Sequence, residues 1–322
     1  MTDLTYFYFK SSGMKNVVKT KFSIKDLESL SGVKAHTIRI WEKRYNLLEP
    51  QRTATNIRTY TLSDLQKLLN VVFLTENGYK ISKIARKETS EIAALVSKMV
   101  SELSAANENH AINSFKIAMM NFDQNLFHKT YDTLTETKDF ERIFYESFLP
   151  LLHEIGLLWQ TDTINPSHEH FIFNLIKQKI LINIERKQQH VPCIQEKTFA
   201  LFLPENEIHE LGLMFLNYEL ISHGYKVIYL GQSTMLSNLK YLSLNHPKLS
   251  FAAYFTVSPE IDTIDAYFEE FNNLFGEQKL DLYVLGALVP KINESTIPDN
   301  VHLMMSIREF VNIIKKQPSI YA

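Results

Sequence analysis

The chain has 322 residues, 45% hydrophobic and 22% charged, which fits ordinary globular protein with room for two or three domains and argues against a disordered chain. A formal net charge of −2 excludes whole-molecule attraction to nucleic acid. The single cysteine, Cys193, excludes an intramolecular disulfide framework and fits a reducing, cytoplasmic address, and no apolar run approaches the roughly 20 residues that span a bilayer, so no membrane partner is expected.

Residues 1–18 carry an aromatic patch at 6–9 but no basic lead-in, long apolar core or small-residue cleavage site, and are expected to be a disordered lead. From Lys15 to Glu88 the charge is lopsided, with fifteen lysines and arginines against seven acids. A basic head on an otherwise acidic body points to a localised polyanion site.

Within that head Ser23 is an N-cap candidate, followed by Ile24, Leu27 and Leu30 at helical spacing and a break at Ser31-Gly32-Val33. A second helix is expected from about Lys34 to Tyr45, with Val33, Thr37, Ile40, Trp41 and Tyr45 on one face and His36, Arg39 and Lys43 on the other. Two short helices across a glycine-containing turn let the first brace the second in a major groove. Pro50-Gln51-Arg52-Thr53 and Asn56-Ile57-Arg58-Thr59-Tyr60 then read as a short hairpin carrying two arginines. Trp41 is expected in the core, since its large apolar surface outweighs any surface role. A further helix is expected from Ser63 as N-cap, with Leu65, Leu68, Leu69 and Val72 as its apolar stripe, and another from about Ile81.

These motifs resemble the MerR family of transcriptional regulators: Ser31-Gly32-Val33, Thr37-Ile38-Arg39, Trp41-Glu42-Lys43-Arg44-Tyr45, Leu47-Leu48-Glu49-Pro50 and Arg58-Thr59-Tyr60 stand in the family's order. The resemblance implies a winged helix-turn-helix over residues 19–90 that binds a double-stranded DNA operator through His36, Thr37, Arg39, Lys43, Arg44, Arg52, Arg58 and Tyr60. It also implies a dimer on a dyad site, although no long heptad run is present.

Residues 91–109, ending in the polar run 104–109, read as a linker, and 110–190 as successive amphipathic helices, best fitted by a helical bundle. Leu149, Leu152, Ile155 and Leu158 mark one buried face, and Trp159 ends that helix. Pro166 suits the first position of the next helix with Asn165 as cap, which puts Glu169 and His170 in its first turn. His168-Glu169-His170 is a poor zinc site, because consecutive helical residues point about 100° apart. A capping or surface role for Glu169 and His170 weighs evenly against a functional one.

Residues 196–322 alternate apolar runs, at 199–203, 226–230, 251–256, 282–285 and 301–304, with helices. That pattern implies an open, doubly wound, mostly parallel α/β sheet with a ligand outside the carboxyl ends of its strands. After the first run stands Glu207-Ile208-His209-Glu210-Leu211-Gly212. A loop histidine there can present a neutral imidazole nitrogen to a soft metal centre while Glu207 holds the other ring nitrogen. Gly212 would let a helix or a bulky ligand approach closely.

This motif resembles that of flavodoxin-like cobalamin-binding domains, which implies cobalamin as cofactor and His209 as the lower axial ligand of its cobalt. Such domains place a Ser/Thr segment after the third strand and a Gly-Gly pair after the fourth beside the buried nucleotide tail; Thr256-Val257-Ser258 supplies the first, and Gly286-Ala287 supplies one glycine of the second. Trp159, nine residues and Glu169-His170 is similar to the signature of the CarH/LitR subgroup of light sensors, which implies that residues 110–190 are a four-helix bundle cap. In that subgroup the tryptophan and glutamate cover the upper face, where adenosylcobalamin carries its adenosyl group, and His170 is taken with them as a cofactor-binding candidate. A histidine follows the tryptophan in its best-known photoreceptors, and Gln160 holds that place here.

The expected function is a repressor-like switch in which cobalamin, through light or cofactor level, sets the oligomeric state of a homo-dimer or tetramer. The alternative is a cobalamin-independent regulator whose C-terminal domain binds an antirepressor protein or another ligand. The DNA-binding head argues against an enzyme module.

Overall fold

A computed structural model describes residues 21–53, 56–102, 108–160, 166–246 and 248–316. The expected disordered lead, the cap Asn165 and residues 104–107 of the polar run lie outside them. The chain divides into two compact units, meeting in sequence between Ile176 and Lys177.

In the first unit, helix α1 (Ile24–Ser31) opens with a capping box in which Ser23 Oγ accepts from Asp26 N–H and Asp26 accepts from Ser23 N–H. Helix α2 (Ala35–Tyr45) follows, then a two-stranded antiparallel hairpin of β1 (Gln51–Arg52) and β2 (Arg58–Thr59). Helix α3 (Leu62–Glu76) is capped by Thr61, not Ser63: Asp64 lies three residues after Thr61 and closes a second capping box. The short α4 (Ile81–Ile84) precedes α5 (Thr89–Glu102).

Helix α5 corrects the expected linker, since residues 91–102 are helical. Ile92 and Val96, one helical turn apart, are buried, so the segment has an apolar stripe that its polar neighbours obscured. Helices α6 (Glu108–Asn121), α7 (Gln124–Thr135), α8 (Phe140–Ile143) and α9 (Leu149–Gln160), the last two joined by a π-helical turn at Phe144–Phe148, follow. Helix α10 (Pro166–His190) begins with Pro166 as expected and continues into the second unit. A stack of phenylalanines, Phe115, Phe127, Phe144 and Phe148, is the core of these helices. They pack directly on the head: α3 touches α6, Gln66 Nε2 donates to Met120 O at 2.7 Å, and Asn113 Nδ2 donates to Glu76 Oε2 at 2.8 Å.

The second unit is a five-stranded parallel sheet of β3 (Thr198–Pro204), β4 (Lys226–Thr234), β5 (Leu249–Tyr254), β6 (Leu282–Leu285) and β7 (Val301–Leu303), in the order β4-β3-β5-β6-β7. That is the 2-1-3-4-5 order of flavodoxin-like folds, with its switch point between β3 and β5. Strand alternation splits the core into two faces. Ala200, Phe202, Phe251, Ala253 and Val284 pack with α12 (Leu236–Asn245) and α13 (Ile264–Phe275). On the other face Phe199 and Tyr283 pack with Phe310 of α14 (Ile307–Lys316), which neighbours α11 (Leu211–Ser222).

Candidate functional site

The head presents cations from two elements. On α2, His36, Arg39 and Lys43 are exposed along one face as expected, Arg44 is exposed with its guanidinium 5.4 Å from the Tyr45 ring centre, and Thr37 is half-buried. The residue that seats this helix is Ile38, fully buried, whereas Ile40 is 43% exposed and Trp41 half-buried. The expected inward face is therefore rotated, with Ile38 and not Ile40 or Trp41 turned fully into the core, where α2 packs on α1. On the hairpin, Arg52 is exposed and donates through Nη1 to Asn56 Oδ1 at 2.5 Å.

Arg58 and Tyr60 are joined through a residue that the sequence reading gave no role. Glu42 of α2 forms an ion pair with Arg58, its Oε2 lying 3.3 Å from Nε, and accepts the Tyr60 hydroxyl on Oε1. Tyr60 is 1% exposed, which removes it from the set of groups that could touch DNA and makes it a brace between α2 and β2. Burial, reinforced by the Glu42 carboxylate, raises the Tyr60 phenol above its ordinary range, so the hydroxyl stays a donor. The signal for Glu42 was an acid inside a basic helix.

In the second unit the loop between β3 and α11 carries Glu207 and His209, and Gly212 lies in the first turn of α11. Glu207 is completely buried, and both carboxylate oxygens are saturated. Oε1 accepts the backbone N–H of Ile208 and of His209, each at 3.0 Å, and the His209 ring at Nδ1. Oε2 accepts three consecutive amides after β5, those of Thr256, Val257 and Ser258, at 3.0, 2.7 and 3.0 Å. Burial alone would favour the neutral acid, but the His209 ring and the Val257 and Ser258 amides outweigh it and hold Glu207 at about 2.

An ionised carboxylate only accepts, so Nδ1 of His209 carries the proton and the in-plane lone pair is on Nε2. The donor set therefore fits a soft metal centre on the Nε2 side. Thr256 and Ser258 do meet Glu207, through their backbone amides. The loop is braced from β4, with Gln232 Nε2 donating to Ile208 O at 3.1 Å and Ser233 N–H to Glu207 O at 3.2 Å. Next to His209, Glu210 pairs with Lys177. The clasp thus spans the switch point at the carboxyl ends of β3 and β5.

In the first unit, His168 and Glu169 at the start of α10 are buried, Glu169 at 2%, while His170 is exposed. A surface role therefore suits His170 and not Glu169. Trp159 and Gln160 close α9, and their side chains lie outside the described set. Among the described residues no three histidines, cysteines or acids gather as a metal cluster, and no helix is long and apolar enough to cross a membrane.

Residues 22–91 match the family model of the MerR HTH family regulatory protein, and residues 111–182 match that of the B12 binding domain. Together with the sheet and its carboxylate-anchored histidine, these matches define the class: a MerR-type helix-turn-helix regulator with a B12-binding domain.

Within that class the chain is similar to the HTH-type transcriptional repressor CarH of Myxococcus xanthus, 26% identical over 216 residues, which are 65% of this chain and 70% of that protein. It is similar also to the repressor CarA of the same organism, 24% identical over 226 residues, 67% of this chain and 70% of that one. Among solved structures, the monomethylamine corrinoid protein of Methanosarcina barkeri aligns at 13% identity over 69% of this chain and 97% of its own, with a TM-score of 0.36, too loose a superposition to transfer geometry.

Proposed function

We propose that the protein is a cytoplasmic transcriptional repressor, not an enzyme, whose grip on DNA is set by cobalamin, adenosylcobalamin above all, at His209. The observation that carries this reading is the Glu207 clasp, which fixes the His209 tautomer so that Nε2 is the nitrogen that would hold the cobalt. The regulatory names of CarH and CarA support it. Cobalamin, when bound, supplies a cobalt centre with exchangeable axial ligands, and its adenosyl form has a cobalt–carbon bond that light breaks.

The chain's own residues do the rest. Glu207 keeps the proton on Nδ1 and fixes the plane of the ring, as outer partners of metal-bound histidines do. By their sequence spacing, Trp159, Glu169 and His170 are assigned to the adenosyl side, and α6 to α10 to the four-helix cap. In the head, α2 enters the major groove with His36, Thr37, Arg39, Lys43 and Arg44, while the β1–β2 hairpin acts as a wing and sets Arg52 and Arg58 on the phosphates. A homodimer, or a tetramer built from it, engages several heads at once, and such linkage raises avidity by about 10²–10⁴ without any new contact.

The test is direct. Protein mixed with adenosylcobalamin in darkness is expected to carry corrinoid absorbance through gel filtration, and His209→Ala to lose the histidine-ligated spectrum while still binding DNA. Wild-type protein emerging without corrinoid overturns the reading.

A further inference from the structure

Gly212 has no side chain, and the space one would fill is taken by the ring of Tyr254. An ideal Cβ on Gly212 would fall 2.5 Å from Tyr254 Cζ and 2.8 Å from each Cε, closer than carbon atoms pack. Tyr254 ends β5, is 3% exposed, and pairs in register with Leu285 of β6. Its neighbour Phe255 points to the opposite, α12–α13 face.

The glycine after β6 is used up in the same way. Gly286 has φ +112°, and a Cβ there would lie 2.3 Å from the carbonyl oxygen of Phe255. That glycine serves a close backbone approach which no rotamer change can open. Both glycines that the motif reading reserves for a ligand are thus filled by the protein itself, one by a side chain and one by backbone.

A histidine binding the lower face of a corrinoid must displace whatever the nucleotide tail puts there, and the displaced tail needs room. We propose that Tyr254 closes the channel between β5 and the start of α11, so that the site takes a corrinoid by its ring at His209 and keeps the nucleotide tail out of the sheet. This rests on the cobalamin reading and narrows it: the ring is the recognised part, and a corrinoid without a nucleotide is at least as good a ligand as one with it.

The experiment compares aquocobalamin with diaquocobinamide, which lacks the nucleotide, by absorbance titration of the full chain and of Tyr254→Ser. Wild type is expected to bind diaquocobinamide as tightly as aquocobalamin or more tightly, and Tyr254→Ser to gain about tenfold for aquocobalamin alone. Wild type preferring aquocobalamin by about tenfold or more, or a variant with an unchanged ratio, overturns the proposal.

A ligand-free arm keeps the two ideas separable. Gly212→Ala should lower the melting temperature in the wild-type background and do so much less in Tyr254→Ser, a non-additivity expected only of residues in contact. Equal losses in both backgrounds overturn the closure. If neither protein takes either corrinoid, the proposal falls with the function it rests on, and the cycle then says whether the plug itself is real.

Discussion

Glu207 takes six hydrogen bonds on two oxygens, and its carboxylate sits at about 2, against the ordinary 4.5. A depressed folded-state value means stabilisation that is present in full above about pH 5 and withdrawn as pH falls toward 2, on the order of 3 kcal/mol in all. Without added corrinoid, Glu207→Gln is therefore expected to destabilise by about that amount at pH 7, because the amide turns a donor toward the amides it must accept from. The gap to wild type should close between about pH 5 and 2 in urea titrations; a pH-independent gap would sink the assignment. Ser258→Ala should change stability by less than about 0.5 kcal/mol, since only its backbone is used. The role of Glu207-x-His209-x-x-Gly212 was legible in the sequence because the motif stands at the end of an expected strand, where a ligand sits; by itself it would read as an ordinary helix start. The roles of Thr256 and Ser258 were not, because a backbone amide leaves no trace in residue type.

At the scale of elements, the ion pair between Glu42 and Arg58 ties the hairpin to α2. Arg58→Ala should weaken DNA binding across sequences and lower the salt slope by about one unit if its guanidinium meets a phosphate; an unchanged slope removes Arg58 from the contacts. Helix ends supply a cheaper check. Thr61→Ala should cost about 1 kcal/mol in unfolding experiments, while Ser63→Ala, on the exposed first turn of α3, should cost almost nothing. The sequence held that answer, since Asp64 stands three residues from Thr61 and only one from Ser63. Helix α5 was missed for a different reason: the polar run beyond it drew attention from Ile92 and Val96, whose burial depends on the helices they meet. The inward turn of Ile38 likewise depends on tertiary packing that periodicity alone does not rank.

Across the whole molecule, strand and helix alternation was enough to read an open parallel sheet, and all five expected runs are strands. The strand order adds what alternation could not give, a switch point between β3 and β5 with the clasp lying across it. The ring of Tyr254 under Gly212 was illegible, because it joins residues 42 positions apart whose contact only the sheet creates.

The clasp has one more implication, for tracing descent. Five of its six hydrogen bonds are made to backbone amides of two loops and would survive the loss of the imidazole. A lineage that abandons its metal can therefore discard His209 and still depend on Glu207 to keep two strand ends together. In related chains the acid reports shared architecture, and the histidine alone reports retained chemistry.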